Sequence, residues 1–131
     1  MAKPIALVVD DEPDIRELLG ITLERMDIDA CACADIATAK AQLLRREFQL
    51  CLTDMRLPDG DGIDLVEWMQ LRGIATPVAV ITAHGNVESA VRALKAGAFD
   101  FISKPVDIKV LRKLVGSALK VPHGGTAGGK A

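Results

Sequence analysis

Tyrosine is absent from the 131 residues, and the other aromatics amount to one Trp and three Phe. A core must therefore be aliphatic. Hydrophobic residues make up 50% of the chain, enough to build such a core from Val, Ile, Leu and Ala, and that palette suits a buried parallel sheet flanked by helices. No apolar run approaches the ~20 residues of a membrane span. The chain runs almost at once into a short apolar strand, so no signal peptide is expected either. Charge of one sign is not in excess. The formal net charge is -2, and Lys and Arg are scattered, with only short pairs such as Arg45-Arg46. Direct nucleic-acid contact by this domain is therefore not expected. The three cysteines, Cys31, Cys33 and Cys51, are an odd count among apolar neighbours. No His or further Cys pair accompanies Cys31-x-Cys33. A zinc site is not expected, and the reading is reduced core thiols of a cytoplasmic protein.

What is present is a repeated alternation of short apolar runs and amphipathic stretches. Ile5-Ala6-Leu7-Val8-Val9 reads as a buried strand ending at Asp10. Pro13 to Met26 has helical spacing at Ile15, Leu18, Leu19, Thr22, Leu23 and Met26, with Pro13 in the first turn. A weaker strand over Asp29 to Cys33 precedes a helix over Ile36 to Arg46, with Ala37, Ala41 and Leu44 on one side. Gln49 to Thr53 is a strand ending at Asp54. Leu57-Pro58-Asp59-Gly60-Asp61-Gly62 reads as a loop, since Pro and Gly break regular structure. A helix from Gly62 to Leu71 is closed by Gly73. Val78 to Ile81 is a strand ending at Thr82, Asn86 to Ala96 a helix stopped by Gly97, and Ala98 to Ile102 the last strand. Asp107 to Leu119 is the last helix, with Ile108, Leu111, Leu114, Val115 and Leu119 inward. Five βα units in this order predict an α/β fold, a doubly wound five-stranded parallel sheet with right-handed crossovers. Residues 1-119 form one domain. Residues 120-131 are Gly-rich and read as a flexible tail or the start of a linker.

The ends of the strands carry the chemistry. The first strand ends in Asp10-Asp11, the third in Asp54 and the fourth in Thr82, while Ser103-Lys104-Pro105 follows the fifth. In a parallel sheet these ends share one edge, where ligands of such folds bind. Three carboxylates brought together repel one another unless a cation offsets them. Mg²⁺ takes about six oxygens, keeps several waters and is typically held by one or two carboxylates plus phosphate oxygens. Asp10, Asp11 and Asp54 therefore predict a shallow Mg²⁺ site awaiting a phosphoryl ligand. Lys104 would face the phosphoryl oxygens, Thr82 would donate its hydroxyl to one, and Asp54 would be the carboxylate nucleophile. Each feature has a plainer reading alone: Asp10-Asp11 as acids at a helix N-terminus, Asp54 as a loop acid, Thr82 as a turn hydroxyl. It is their joint placement at the proper strand ends, in order, that carries the reading.

From Lys3 to Leu119 the chain resembles the receiver domains of two-component response regulators. The resemblance rests on Val8-Val9-Asp10-Asp11-Glu12, on Leu52-Thr53-Asp54-Met55-Arg56-Leu57-Pro58-Asp59-Gly60-Asp61-Gly62, on Ile81-Thr82-Ala83 and on Lys104-Pro105. It implies a flavodoxin-like fold with strand order 2-1-3-4-5. It implies phosphorylation of Asp54 from the phosphohistidine of a sensor histidine kinase, and a domain that catalyses only its own phosphorylation and dephosphorylation. Mg²⁺ would be bound by Asp11 and Asp54, with Asp10 assisting and the main-chain carbonyl of Arg56 as a further ligand. Thr82 and Phe101 would form the switch pair, the hydroxyl moving to the phosphoryl group and the ring turning inward. Ala93-Leu94-Lys95-Ala96-Gly97-Ala98-Phe99-Asp100-Phe101 and the stretch around Asp54 are similar to NtrC-type activators. The opening residues further resemble regulators of type IV pilin transcription. That likeness implies output domains beyond this chain, an AAA+ ATPase and a helix-turn-helix domain.

The expected transmitting surface is the face of the fourth helix, fifth strand and fifth helix. There Glu88, Arg92, Lys95 and Asp100 would pair across a homodimer. Arg56 and His84, each two residues past Asp54 and Thr82, are expected beside the path of a hydrolytic water. One rival is an aspartate-nucleophile phosphatase, but such enzymes carry a second acid two residues after the nucleophile, where this chain has Arg56. A module that never takes phosphate would typically lack Asp54, Asp11 or Lys104. A freestanding receiver acting as a phosphate shuttle or docking protein is the remaining alternative.

Overall fold

The computed structural model describes residues 3–120, so the predicted tail lies, beyond its first residue, outside the described residues. Five strands form one parallel sheet: β1 (Ile5–Val9), β2 (Asp29–Cys33), β3 (Leu50–Asp54), β4 (Val78–Thr82) and β5 (Asp100–Ser103). Their spatial order is β2-β1-β3-β4-β5. The helices are α1 (Pro13–Arg25), α2 (Ile36–Arg45), α3 (Gly62–Leu71), α4 (Val87–Ala96) and α5 (Ile108–Lys120). The chain thus has the predicted doubly wound topology.

Side chains on a strand alternate between faces, and β1 shows the consequence. Leu7 and Val9 join the core beneath α2 and α3, with Leu65, Val66 and Met69. Ala6 and Val8 join the other core, with Leu19 and Leu23 of α1 and Leu111, Leu114 and Val115 of α5. The central strands β3 and β4 are buried along their whole length, as expected of parallel strands covered on both sides. The cysteines contribute to packing. Cys33 and Cys51 are buried and Cys31 is half-buried, all with free thiols. Burial pushes the Cys33 thiol up to about 12, and the Cys51 thiol upward as well.

Four details differ from the sequence reading. Helix α2 buries Ile36, Ala39 and Leu43, while Ala37, Ala41 and Leu44 face water. Both stripes satisfy the helical period. Packing makes the choice, since Ile36, Ala39 and Leu43 join the core, and Asp59 holds the first turn in place by accepting the Ile36 and Ala37 N–H groups at 2.8 and 2.9 Å. Second, Ile108 is 37% exposed, because Val106, just ahead of α5, packs against the core instead. Third, β5 begins at Asp100, since Ala98 is occupied in closing α4: its N–H donates to the Ala93 carbonyl at 3.0 Å, past Gly97 at φ +125°. Fourth, the Pro- and Gly-rich stretch after β3 holds a small antiparallel ribbon, Arg56–Leu57 against Gly60–Asp61. Asp61 then caps α3 by accepting the Ile63 N–H at 2.8 Å.

The α2 assignment has a direct check. Leu43→Ala is expected to cost about 2–4 kcal/mol of stability, and Leu44→Ala less than about 0.5 kcal/mol. Urea unfolding of the two variants measures this, and equal losses would contradict the observed helix face.

Candidate functional site

Every strand runs the same way, so the carboxyl ends of β1, β3, β4 and β5 meet at one edge. Asp10 stands just past β1 and is wholly buried. Its Oδ1 accepts the Glu12 N–H at 2.8 Å, and its main-chain carbonyl accepts from the Arg16 guanidinium at 2.7 Å. Its Oδ2 has no hydrogen-bond partner among the described residues. Asp54, the last residue of β3, is also buried. Its Oδ1 accepts the Met55 N–H at 2.8 Å, and its Oδ2 accepts from Lys104 Nζ at 3.3 Å. Asp11 and Glu12 are exposed and complete the cluster. One carboxylate oxygen from each of Asp10, Asp11, Glu12 and Asp54 lies within 4.8 Å of the others.

Lys104 is the common counter-ion. Its Nζ is 3.1 Å from Glu12, 3.3 Å from Asp54 and 3.8 Å from Asp10. Its main-chain N–H donates to the Thr82 carbonyl at 2.8 Å, which ties the segment after β5 to the end of β4. The Lys104–Pro105 peptide bond is cis. Thr82 is buried, and its hydroxyl has no hydrogen-bond partner among the described residues. Phe101 lies level with Val80 in the β4–β5 register, on the sheet face that Thr82 shares, and is 36% exposed.

Gly62 holds the backbone of the site. A Cβ at this position would collide with the Asp54 carbonyl oxygen and lie 3.2 Å from the Met55 Cα. Its N–H donates to the Met55 carbonyl at 2.8 Å. Only glycine allows the start of α3 to approach Asp54 so closely.

The electrostatics record the crowding. Burial, assisted by the charge of Asp54, pushes the Asp10 carboxyl up to about 6. Burial also raises Asp54, against the pull of Lys104. For Lys104, burial acts downward, but the hydrogen bond to Glu12 and the charges of Asp54 and Asp10 outweigh it and raise its pKa. All the cluster's donors are carboxylate oxygens, and a buried one of them is unpartnered. This hard-oxygen donor set fits Mg²⁺.

The site residues read from the sequence are thus mostly gathered in one place. Asp11, Asp54, Arg56 and Lys104 line a cleft of about 420 Å³, with Asp10 and Thr82 buried at the strand ends nearby. Phe101 is set apart on β5, and His84 is not among the cleft-lining residues. Glu12 and Asp61, which also line the cleft, went unassigned. Glu12 follows the acid pair directly, and that run of three acids was the signal available for it.

Residues 6–116 match the family described as the response regulator receiver domain. The chain belongs to the receiver domains of response regulators. It is 57% identical over 92% of its length to the response regulator protein PilR of Pseudomonas aeruginosa, of which it covers 27%. The chain therefore spans about a quarter of that relative's length. The receiver domain of NtrX from Brucella abortus matches with a TM-score of 0.84 at 34% identity, covering 89% of this chain and 99% of that one. A beryllofluoride-activated NtrC4 receiver domain dimer matches with a TM-score of 0.83 at 30% identity, covering 88% and 96%. The likeness to NtrC-type regulators read from the residues around Asp54 and Phe101 holds.

The receiver's raised carboxyls make its stability pH-dependent. A carboxyl whose folded pKa lies above its unfolded value stabilises the fold fully below the unfolded pKa, and this contribution is lost as pH rises through the folded pKa. For Asp10 the window runs from 3.8 to about 6. Metal-free protein is expected to be more stable at pH 5 than at pH 7. Asp10→Asn should flatten that difference and raise stability at pH 7, by on the order of 2 kcal/mol. Urea unfolding at the two pH values, in chelator, decides it; a variant with unchanged pH dependence would contradict the assignment.

Proposed function

We propose that this receiver takes a phosphoryl group on Asp54 from the phosphohistidine of a sensor histidine kinase, and that the change at Asp54 switches the α4–β5–α5 face to control an output domain. The observation that carries the reading is Lys104 Nζ at 3.3 Å from Asp54 Oδ2, beside a set of carboxylates gathered within 4.8 Å. Mg²⁺, held by Asp11 and Asp54 with Asp10 assisting and with the Arg56 main-chain carbonyl as a further ligand, supplies charge neutralisation for an anionic donor approaching an anionic nucleophile.

The chain's own residues do the rest. A carboxylate oxygen of Asp54 attacks phosphorus, the O–P bond forms, and the P–N bond of the phosphohistidine breaks with its electron pair left on the imidazole. The Met55 N–H keeps Asp54 oriented. Lys104 exchanges its contact with the free carboxylate for one with the phosphoryl oxygens. The Thr82 hydroxyl, buried and without a partner among the described residues, gains an acceptor when a phosphoryl oxygen arrives. As it moves, it vacates space on the sheet face it shares with Phe101, and the partly exposed ring turns in.

On that face α4 exposes Val91 and Leu94, the segment before β5 exposes Phe99, and α5 exposes Val110. An apolar face of this kind suits self-association, and the similar NtrC4 receiver is a dimer in its beryllofluoride-activated form. Homodimerisation through this face is part of the proposal. Residues 120–131 are read as the linker toward an AAA+ ATPase and a helix-turn-helix domain. The likeness to PilR supports sigma-54-type activation of type IV pilus genes as the output. Among the described residues no helix is long and apolar enough to cross a membrane, and we place the protein in the cytoplasm.

Incubation with Mg²⁺ and a small phosphodonor is expected to add one phosphoryl group to the intact mass of the protein and none to Asp54→Ala. An unmodified parent chain, or an equally modified variant, would overturn the assignment. For the output face, sedimentation with beryllofluoride is expected to show a shift toward dimer that Phe101→Ala weakens; identical sedimentation with and without the mimic would argue against the proposed interface.

A further inference from the structure

Helix α4 meets its surroundings along three edges. Its inward edge is two alanines, Ala90 and Ala93. Its outward edge is Val87, Val91 and Leu94, all exposed. Its third edge is Asn86, Ser89 and Arg92, three residues apart along one side, and all three line the cleft that holds Asp54 and Lys104. Asn86 is engaged in capping the helix, its Oδ1 accepting the Ser89 N–H at 3.0 Å. Arg92 is differently placed. It borders an acidic cleft, yet it makes no ion pair among the described residues. Lys104, by contrast, is already divided among Asp10, Glu12 and Asp54.

We infer that Arg92 is a further phosphoryl-binding residue, a guanidinium on α4 that pairs with the phosphoryl group on Asp54 and draws the helix toward the cleft. The inference rests on the phosphoacceptor reading of Asp54. A phosphoryl group brings strong acceptor oxygens and roughly −1.5 to −2 charge, and a lysine shared by three carboxylates leaves acceptor positions on it for another donor. A planar guanidinium fork suits those oxygens better than any other side chain does. The inner edge of α4 permits the movement, because alanines do not interlock with the sheet as leucines would. Arg92 is thereby assigned to the cleft, not to the charge pairs of a dimer face.

The test uses the full chain and beryllofluoride with Mg²⁺ as the probe, followed by calorimetry and by amide exchange of α4. Arg92→Ala is expected to weaken beryllofluoride binding about three- to tenfold and to reduce the probe-induced change in α4 exchange. Its Mg²⁺ affinity and melting temperature should match the parent, and Arg92→Lys should recover part of the loss. Parent-like probe binding in Arg92→Ala, or a loss matched by weaker Mg²⁺ binding or lower stability, overturns the role of Arg92. If instead the parent chain binds the probe no better than Asp54→Ala, it is the phosphoacceptor reading that fails.

Discussion

Like charges gathered at the carboxyl edge of the sheet, and balanced there by Lys104, are the constraint from which the rest of this receiver follows. Asp10 and Asp54 are both buried, with carboxylate oxygens within 4.8 Å. At an effective dielectric of about 20 such a pair repels by on the order of 3 kcal/mol. Lys104 at 3.3 Å from Asp54 offsets that repulsion, and it does so as a compact point charge on a flexible stem. The arrangement is stable enough to persist and unbalanced enough to favour a further cation.

The scaffold supplies the rigidity that this imbalance needs. Asp54 terminates a strand buried along its whole length, and the Met55 N–H holds one of its oxygens. Gly62 lets the start of α3 press against its carbonyl. Asp59 ties the loop after β3 to the first turn of α2 through two main-chain N–H groups. Asp54 is therefore fixed from below and from the side, while the open cleft in front of it remains accessible.

Packing is lighter on the other side. Helix α3 buries Ile63, Leu65, Val66 and Met69, whereas α4 buries two alanines. A helix so lightly held can respond to a change of charge at little cost in packing. Thr82, whose hydroxyl has no hydrogen-bond partner among the described residues, and the partly exposed Phe101 lie on that same side. One site thus faces a firm wall and a yielding one.

The element order, the parallel sheet and the gathering of Asp10, Asp11, Asp54, Thr82 and Lys104 were legible in the residues, because apolar runs ending in polar residues leave a parallel fold only one edge on which to place them. The residues around Asp54 carried the family. Other features were settled only by tertiary contact. The Ile36–Ala39–Leu43 stripe and the Ala37–Ala41–Leu44 stripe satisfy the same period, and the choice between them came from packing against the core, with Asp59 holding the first turn. Glu12 entered the acidic cluster because Lys104 reaches across to it. Arg92 came to border the cleft because α4 crosses the sheet with its third edge toward Asp54. Periodicity determines which residues share a side of a helix; only packing determines which way that side is turned.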